Sequence, residues 1–499
     1  MRNLFTVLSL LFLLCYFLVF PENISFAQGT RFNAPLTMQG LDQNTNYSAV
    51  SRALGGTTIG INNDASIMFS NPAELQNLNS FQVTLGNSFW MLDQSQTQQY
   101  GPAKYYPNFS LLMESLTYLV PNPKLDTTTT HTAKDSVQRP FDKIKPNWNR
   151  TKNKNLPTQI MAAIPFTIGE YKVVAGIGAV EYANMNFYYQ DNNVLSPAVN
   201  IQRPYPVRLV ISSTDSLPVQ WYQNIRNREG ELYGYGAAIS FGVTENLTFG
   251  LSGLLIKGST NDFESQLGRG NLVFYSSYFR VDSVDYKNTK NGTSDYTGAE
   301  LTLSGLYKSG SLTLGFSIKP PISITRDYQY TYQNELNGIS NTISVNGSDK
   351  IKLPWRGSFG LSVSVLENLR GIIEYELRPM GNANYITGGI ASNPWESSHL
   401  LHIGAEFAPL DWLTIRCGYS DKAEVFEEEG NPFLGDPVYS TIISGGLGFS
   451  WENLKLNITY EYFNIKYDDL LQDAVFLNSA KNNYITAEIA YNIYMPWSK

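Results

Sequence analysis

The chain has 499 residues and a net charge of −7, with only 16% charged residues against 13% aromatics, among them 32 tyrosines. An acidic chain without basic runs is poorly suited to nucleic acid, and little charge with much tyrosine suits a barrel with aromatic girdles better than a soluble protein of this length. After the apolar run at residues 4–20 there is no second one long enough to cross a membrane as a helix.

The N-terminus reads as a secretory signal. Arg2 supplies the positive charge, residues 4–20 the apolar stretch, and Ser25-Phe26-Ala27 the small residues of a cleavage site. Cys15 does not mark a lipoprotein, because Leu14 stands before it where a small residue is needed. Residues 1–27 are therefore expected to be removed, with Gln28 at the mature N-terminus. The mature chain keeps one cysteine, Cys417, so no internal disulfide is possible.

Residues 28–80 are rich in Gly, Asn and Ser. They either hang free on the periplasmic side or fold into a lumen. From Phe81 the dominant period is two. In 453–462, Leu454, Leu456, Ile458, Tyr460 and Tyr462 alternate with Asn, Lys, Asn, Thr and Glu. The stretches 311–319 and 412–419 do the same, placing Cys417 with Leu413, Ile415 and Tyr419 on one face. Many such segments run for ten or more residues, close to the ~9–11 that cross a bilayer. Six short polar turns join them: Gly169-Glu170, Glu245-Asn246, Ser309-Gly310, Glu367-Asn368, Leu410-Asp411 and Glu452-Asn453. The remaining connections read as long loops at 92–155, 185–230, 262–295, 325–352, 379–398, 421–438 and 466–482. Short turns alternating with long loops are the outer-membrane pattern. Six hairpins plus a first strand at 81–92 and a last at 484–494 predict an all-β fold, a transmembrane antiparallel barrel of about 14 strands over 81–495, without a free edge in hydrocarbon.

Ser51-Arg52-Ala53, Gly55-Gly56, Asn63-Asp64-Ala65-Ser66 and Asn71-Pro72-Ala73 stand in order within 23 residues. This series resembles the N-terminal hatch of the FadL family, outer-membrane transporters of long-chain fatty acids and other hydrophobic compounds. Leu156-Pro157 ahead of Ile164-Pro165, and Leu353-Pro354-Trp355 before a strand, resemble further family elements. The chain departs from many outer-membrane proteins in ending Trp497-Ser498-Lys499 rather than on an aromatic residue. The resemblance implies a 14-stranded barrel whose residues 28–80 form a hatch in the lumen, with Ser51, Arg52, Gly55, Gly56, Asp64, Asn71, Pro72 and Ala73 as its motif. Asp64 is placed to cap a short helix over 65–69, and Gly55 and Gly56 permit close backbone packing.

For the ligand, the expected loop at 262–295 carries Phe263, Leu267, Leu272, Phe274, Tyr278 and Phe279. Apolar residues exposed there either pack on the barrel rim or form the groove where the family captures its ligand. Alternation turns Lys319, Arg378 and Arg416 into the lumen, either toward a ligand carboxylate or toward acids such as Glu374 and Glu376. Gly176 and Gly178 either relieve crowding or mark a bulge, which in the family opens a side door to the bilayer. The threonine run at 127–130 reads as disordered. Catalysis is not expected. The histidines are His131, His399 and His402, none in a Ser–His arrangement, and no metal or phosphate motif calls for a cofactor. The expected partners are a hydrophobic small molecule such as a fatty acid or hydrocarbon, and outer-membrane lipid, with no nucleic acid. The chain is expected to act as a monomer. The alternative is a FadL-like adaptor barrel in protein secretion or cell-surface assembly.

Overall fold

A computed structural model describes residues 40–43, 48–100, 107–117, 141–196, 216–274, 279–393, 395–427, 437–471 and 474–493. The cleavage site, the 127–130 run, His131, Tyr278 and Trp497 lie outside the described residues.

Fourteen strands form the wall. They are β1 (Phe81–Gln99), β2 (Trp148–Ile168), β3 (Tyr171–Asn184), β4 (Leu217–Gly242), β5 (Leu247–Phe274), β6 (Tyr286–Ser309) and β7 (Leu312–Lys319). After them come β8 (Arg356–Leu366), β9 (Leu369–Arg378), β10 (Ser398–Leu410), β11 (Leu413–Glu427), β12 (Pro437–Trp451), β13 (Leu454–Leu471) and β14 (Ala474–Ile493). Each pairs antiparallel with the next, and β1 pairs with β14 from Phe81↔Ile493 to Gln99↔Val475, which closes the sheet. An even strand number lets an antiparallel sheet close without an edge. All six short turns fall where the sequence places them, and β1 starts at Phe81.

Period two sorts the side chains. Every strand sends a large exposed apolar residue outward, from Leu85 on β1 through Leu255 on β5 and Ile373 on β9 to Ile485 on β14. At the short-turn end Tyr171, Phe241, Tyr307, Trp412, Trp451 and Tyr491 are exposed, with Trp412 and Phe449 stacked at 6.4 Å and Phe449 and Trp451 at 5.9 Å. A continuous apolar outer surface ending in an aromatic ring is what lipid requires, and amphipathic rings sit well at its boundary. Cys417 is free and exposed on this outer face. In the native protein, then, a lipid-soluble thiol reagent is expected to label Cys417 and a charged, membrane-impermeant maleimide is not. Rapid labelling from water would mean that β11 is out of register by one residue, which would swap its two faces.

The strands outrun the expected loops. Residues 262–295 are not a loop: β5 continues to Phe274 and β6 begins at Tyr286. Residues 325–352 form a hairpin, Ile322–Leu336 with Ile339–Leu353, laid on the outer part of β6 from Ile324↔Gly298 to Leu336↔Tyr286. The strand Phe187–Ser196 pairs with outer β4 in the same way. Likewise β11 reaches Glu427, β13 reaches Leu471 and β14 starts at Ala474. The physical reason is that ladder hydrogen bonds need no apolar side chains. Above the lipid belt the outward residues become polar, as in Lys257, Ser259 and Asn261 on β5, and the alternation in hydropathy fades while the strand goes on.

Candidate functional site

The N-terminal segment is built from short turns. Among its described residues one α-helix, α1 (Ala49–Ala53), starts at Ser48, whose Oγ accepts from the N–H groups of Val50 and Ser51. It ends at Gly55 and Gly56, both in the left-handed region at φ 70° and 84°, which a side chain would oppose. The helix expected over 65–69 is one 3₁₀ turn, Ala65–Ile67, where the Ser66 N–H donates to Asp64 Oδ1 at 2.9 Å. Pro72 opens a second 3₁₀ stretch, Pro72–Asn77, and the Asn71 amide donates to the Thr58 carbonyl at 3.2 Å.

Residues 48–80 lie against the inward side chains of strands from all sides of the barrel. Arg52 pairs with Glu461 of β13 at 2.7 Å. The Ala49 N–H donates to Glu488 of β14 at 3.1 Å, and Thr459 donates to the Ala49 carbonyl at 2.6 Å. Thr58 donates its N–H (2.6 Å) and hydroxyl (2.9 Å) to Glu374 of β9. Ser317 of β7 donates to the Ser70 carbonyl at 2.7 Å, and the Ala73 N–H to Ser304 of β6 at 2.8 Å. His402 of β10 bridges the Gly55 carbonyl at 2.7 Å and Glu376 at 3.3 Å.

The wall is recessed where this segment meets it. A Cβ on Gly176 of β3 would stand 2.9 Å from Met68 Cε, one on Gly404 of β10 2.7 Å from the Leu54 carbonyl, and one on Gly446 of β12 2.6 Å from Ala53 Cβ. On Gly250 of β5 it would strike the backbone of Pro72 and Ala73, and on Gly418 of β11 that of Leu54 and Gly55. Of this set sequence reasoning singled out Gly176 and missed the others. Its only signal is glycine recurring at inward positions of strands.

Gly176 and Gly178 do not mark a bulge. Both stand in unbroken register with β2 and β4, as Met161↔Gly178↔Gly236 and Ala163↔Gly176↔Ala238. Close approach explains both, since Gly176 makes room for Met68 and a Cβ on Gly178 would press on the Ile160 carbonyl at 2.8 Å. The irregularity of β3 lies at Glu181/Ala183, and its ladder to β2 ends at Val180.

The three cations face inward and meet acids. Lys319 pairs with Glu300 at 2.5 Å, Arg416 with Glu406 at 2.7 Å, and Arg378 with Asp42 of the N-terminal segment at 3.3 Å. The apolar set is divided. Leu272 and Phe274 belong to a core beyond the lipid belt, with Trp221, Val219, Tyr100 and Phe476. There the Arg269 guanidinium lies 4.1 Å from the Trp221 ring and pairs with Asp142 at 2.7 Å. Burial pushes the nearby Asp191 carboxyl up to about 6, against the pull of the Asn193 N–H and Arg269. Phe263 and Leu267 are half-buried further down β5, and Phe279 starts the short strand Phe279–Asp282.

Above the N-terminal segment the barrel encloses a cavity of about 330 Å³. Its floor includes Arg52, Gly55 and Gly56. Its walls mix apolar side chains (Leu92, Leu400, Phe463, Ile465) with polar ones (Gln94, Arg378, His402, Lys422). That volume is at the lower end of the ~300–1,000 Å³ of small-molecule sites, and the lining carries more charge than is usual for them. Of the residues singled out from sequence, Arg52, Gly55, Gly56 and Arg378 meet here.

No family model matches the sequence, and no curated protein matches it. Solved structures do. One is described as a FadL homologue of Pseudomonas aeruginosa, with a TM-score of 0.55 at 14% identity over 90% of this chain and 98% of that one. Another is a deltaS2 mutant of the TodX monoaromatic hydrocarbon channel, at 0.56 and 14% over 90% and 99%. A third is the P. putida toluene transporter TodX, at 0.51 and 14% over 91% and 100%. The chain is a transmembrane β-barrel of 14 strands. Its fold is that of the FadL homologue and the TodX channel.

Proposed function

We propose that this barrel lets hydrophobic compounds, long-chain fatty acids among the candidates, pass across an outer membrane by passive diffusion, and that residues 28–80 are the hatch that plugs it. The observation that carries this reading is the cavity: it lies inside a closed, lipid-suited wall and rests on a segment bonded to that wall on every side. A cavity of this size with Leu92, Leu400, Phe463 and Ile465 among its walls offers a small hydrophobic molecule apolar contact. The similar structures are of channels for monoaromatic hydrocarbons and of a FadL homologue, which supports the same ligand class. The reading includes a mature N-terminus near Gln28, outer-membrane lipid as surroundings and a working monomer. Nothing in it calls for catalysis or a cofactor.

Deleting residues 43–75 tests the plug. The truncated barrel is expected to conduct ions steadily in a planar bilayer, whereas the full chain stays almost silent. Equal conductance of the two would remove the plug from the account.

A further inference from the structure

The outer wall has a depression where β4, β5 and β6 meet the end of β7. Large apolar side chains stand outward around it: Tyr235 (50% exposed), Leu255 (63%) and Leu301 (54%). Between them the outward positions are small, with Ala237, Gly253 and Ala299. Pro320 and Pro321 bound the far side, and the result is a groove of about 460 Å³. Glu300 also borders it, but its carboxylate turns inward to Lys319 and Arg356. Beside the prolines, residues 299–302 of β6 have no ladder partner on that side among the described residues, because pairing stops at Leu303↔Ile318 and resumes at Gly298↔Ile324.

A row of cations runs directly above the groove. The register sets Lys257 of β5 beside Thr297 of β6, Thr297 beside Thr325 of the hairpin, and Thr325 beside Lys350. Lys352, opposite Ser323, stands one step nearer the groove. Residues opposite one another in a sheet share a face, and all three lysines are exposed on the outward one. Their ammonium groups meet no ion-pair partner among the described residues. Asp295 and Asp327 face each other one row farther out and leave the lysines unpaired. From Tyr307 at the short-turn end, β6 climbs about 25 Å to Thr297 if tilted by about 40°, the height of the apolar band of such barrels. The lysine row therefore stands at the outer edge of the lipid, where head-group phosphates lie. Lys257 and Lys350 are three strand spacings apart, about 14 Å. That separation suits one head group with a phosphate at each end of a disaccharide better than a single phosphate. An apolar chain fits below and anions fit directly above, on a surface continuous with the one that already faces lipid.

We propose that this face holds one molecule of the phosphorylated, acylated disaccharide lipid of the outer leaflet, with one phosphate on Lys257, the other on Lys350 and Lys352, and an acyl chain in the groove. This inference rests on the outer-membrane reading and adds a lipid site outside the lumen.

The test uses the full-length protein, stripped of lipid in a maltoside detergent, and counts bound lipid by native mass spectrometry. The probes are diphosphorylated lipid A, the same lipid with both phosphates removed, and inorganic phosphate as competitor. One diphosphorylated lipid A per barrel is expected, held at least roughly tenfold more tightly than the phosphate-free form, and millimolar inorganic phosphate is expected not to displace it. Equal binding of the two lipids by the unaltered protein would overturn the proposal, and that comparison needs no variant. Displacement by inorganic phosphate would reduce the site to a patch for free anions and overturn it as a lipid site. The triple variant Lys257→Gln, Lys350→Gln, Lys352→Gln is expected to weaken the diphosphorylated lipid roughly a hundredfold, since each lysine beside an anionic lipid surface is worth about fivefold. Gly253→Leu fills the groove from outside. A Cβ there meets Leu301 Cδ2 at 3.4 Å and the Glu300 carbonyl at 3.9 Å, ordinary contacts that the wall accepts. It is expected to weaken the lipid roughly tenfold, by displacing a few methylenes of the acyl chain. Unchanged binding in the lysine variant overturns the phosphate contacts, and unchanged binding in Gly253→Leu overturns the groove. Uptake through the lumen uses none of these residues, so failure here leaves the uptake reading standing.

Discussion

Glu300→Ala is expected to lower the unfolding free energy by about 3–5 kcal/mol, the usual cost of removing one partner from a buried ion cluster. Glu300 sits on the inward face of β6 with its side chain 1% exposed. It accepts from Lys319 of β7 at 2.5 Å, from Arg356 of β8, and from the Tyr182 hydroxyl of β3 at 2.8 Å. Removing the carboxylate leaves the two cations, 8% and 6% exposed, without their anion. The wall is weak at this level. Pro320 and Pro321 follow β7 and have no N–H to give, and the ladder on that side of β6 breaks between Leu303↔Ile318 and Gly298↔Ile324. The temperature at which the barrel loses its folded gel mobility should therefore fall sharply. A variant within about 0.5 kcal/mol of the native protein, the range of ordinary surface changes, would show that the cluster is hydrated rather than buried.

Gly418→Val is expected to dislodge the N-terminal segment without unfolding the wall. A side chain there is driven into the backbone of Leu54 and Gly55, atoms that no rotamer change can move aside. Overpacking of this kind costs roughly 1–3 kcal/mol. The wall pairs Gly418 with Gly404 and Ser444 in regular register, so the strand itself can accept valine. The strain falls on the segment. The expected outcome is a barrel of nearly native thermal stability with frequent open events in single-channel recordings. A silent channel would mean that residues near Gly55 can shift without opening a path.

Much of the wall was legible because lipid imposes a rule on every strand: one face apolar, turns short at one end. Period two therefore gave the strand count, the six turns, the outward face of Cys417 and the inward faces of Lys319, Arg378 and Arg416. Above the lipid the rule lapses. The hairpin Ile322–Leu353, apart from Leu336, Ile339 and Ile343 near its tip, and the outer half of β5 are largely polar outside, and they read as loops although their backbone pairing continues. The site was less legible. A strand pattern shows that Arg378 points inward but not that it meets Asp42, 336 residues away in the chain. A glycine looks the same in sequence whether it bends a strand or receives a neighbour. Gly176 and Gly178 were open to a bulge for that reason, and only the surface facing them, Met68 and the Ile160 carbonyl, decides.

The central claim is that the barrel passes hydrophobic molecules and holds back water-soluble ones. It is tested most directly by uptake into cells whose outer leaflet is lipopolysaccharide, with and without the protein, following a radiolabelled long-chain hydrophobic probe and a small sugar side by side. The account predicts that the protein speeds entry of the hydrophobic probe severalfold, without energy input, and leaves sugar entry at the level of cells lacking it. Faster entry of the sugar, or no change in entry of the hydrophobic probe, would contradict it.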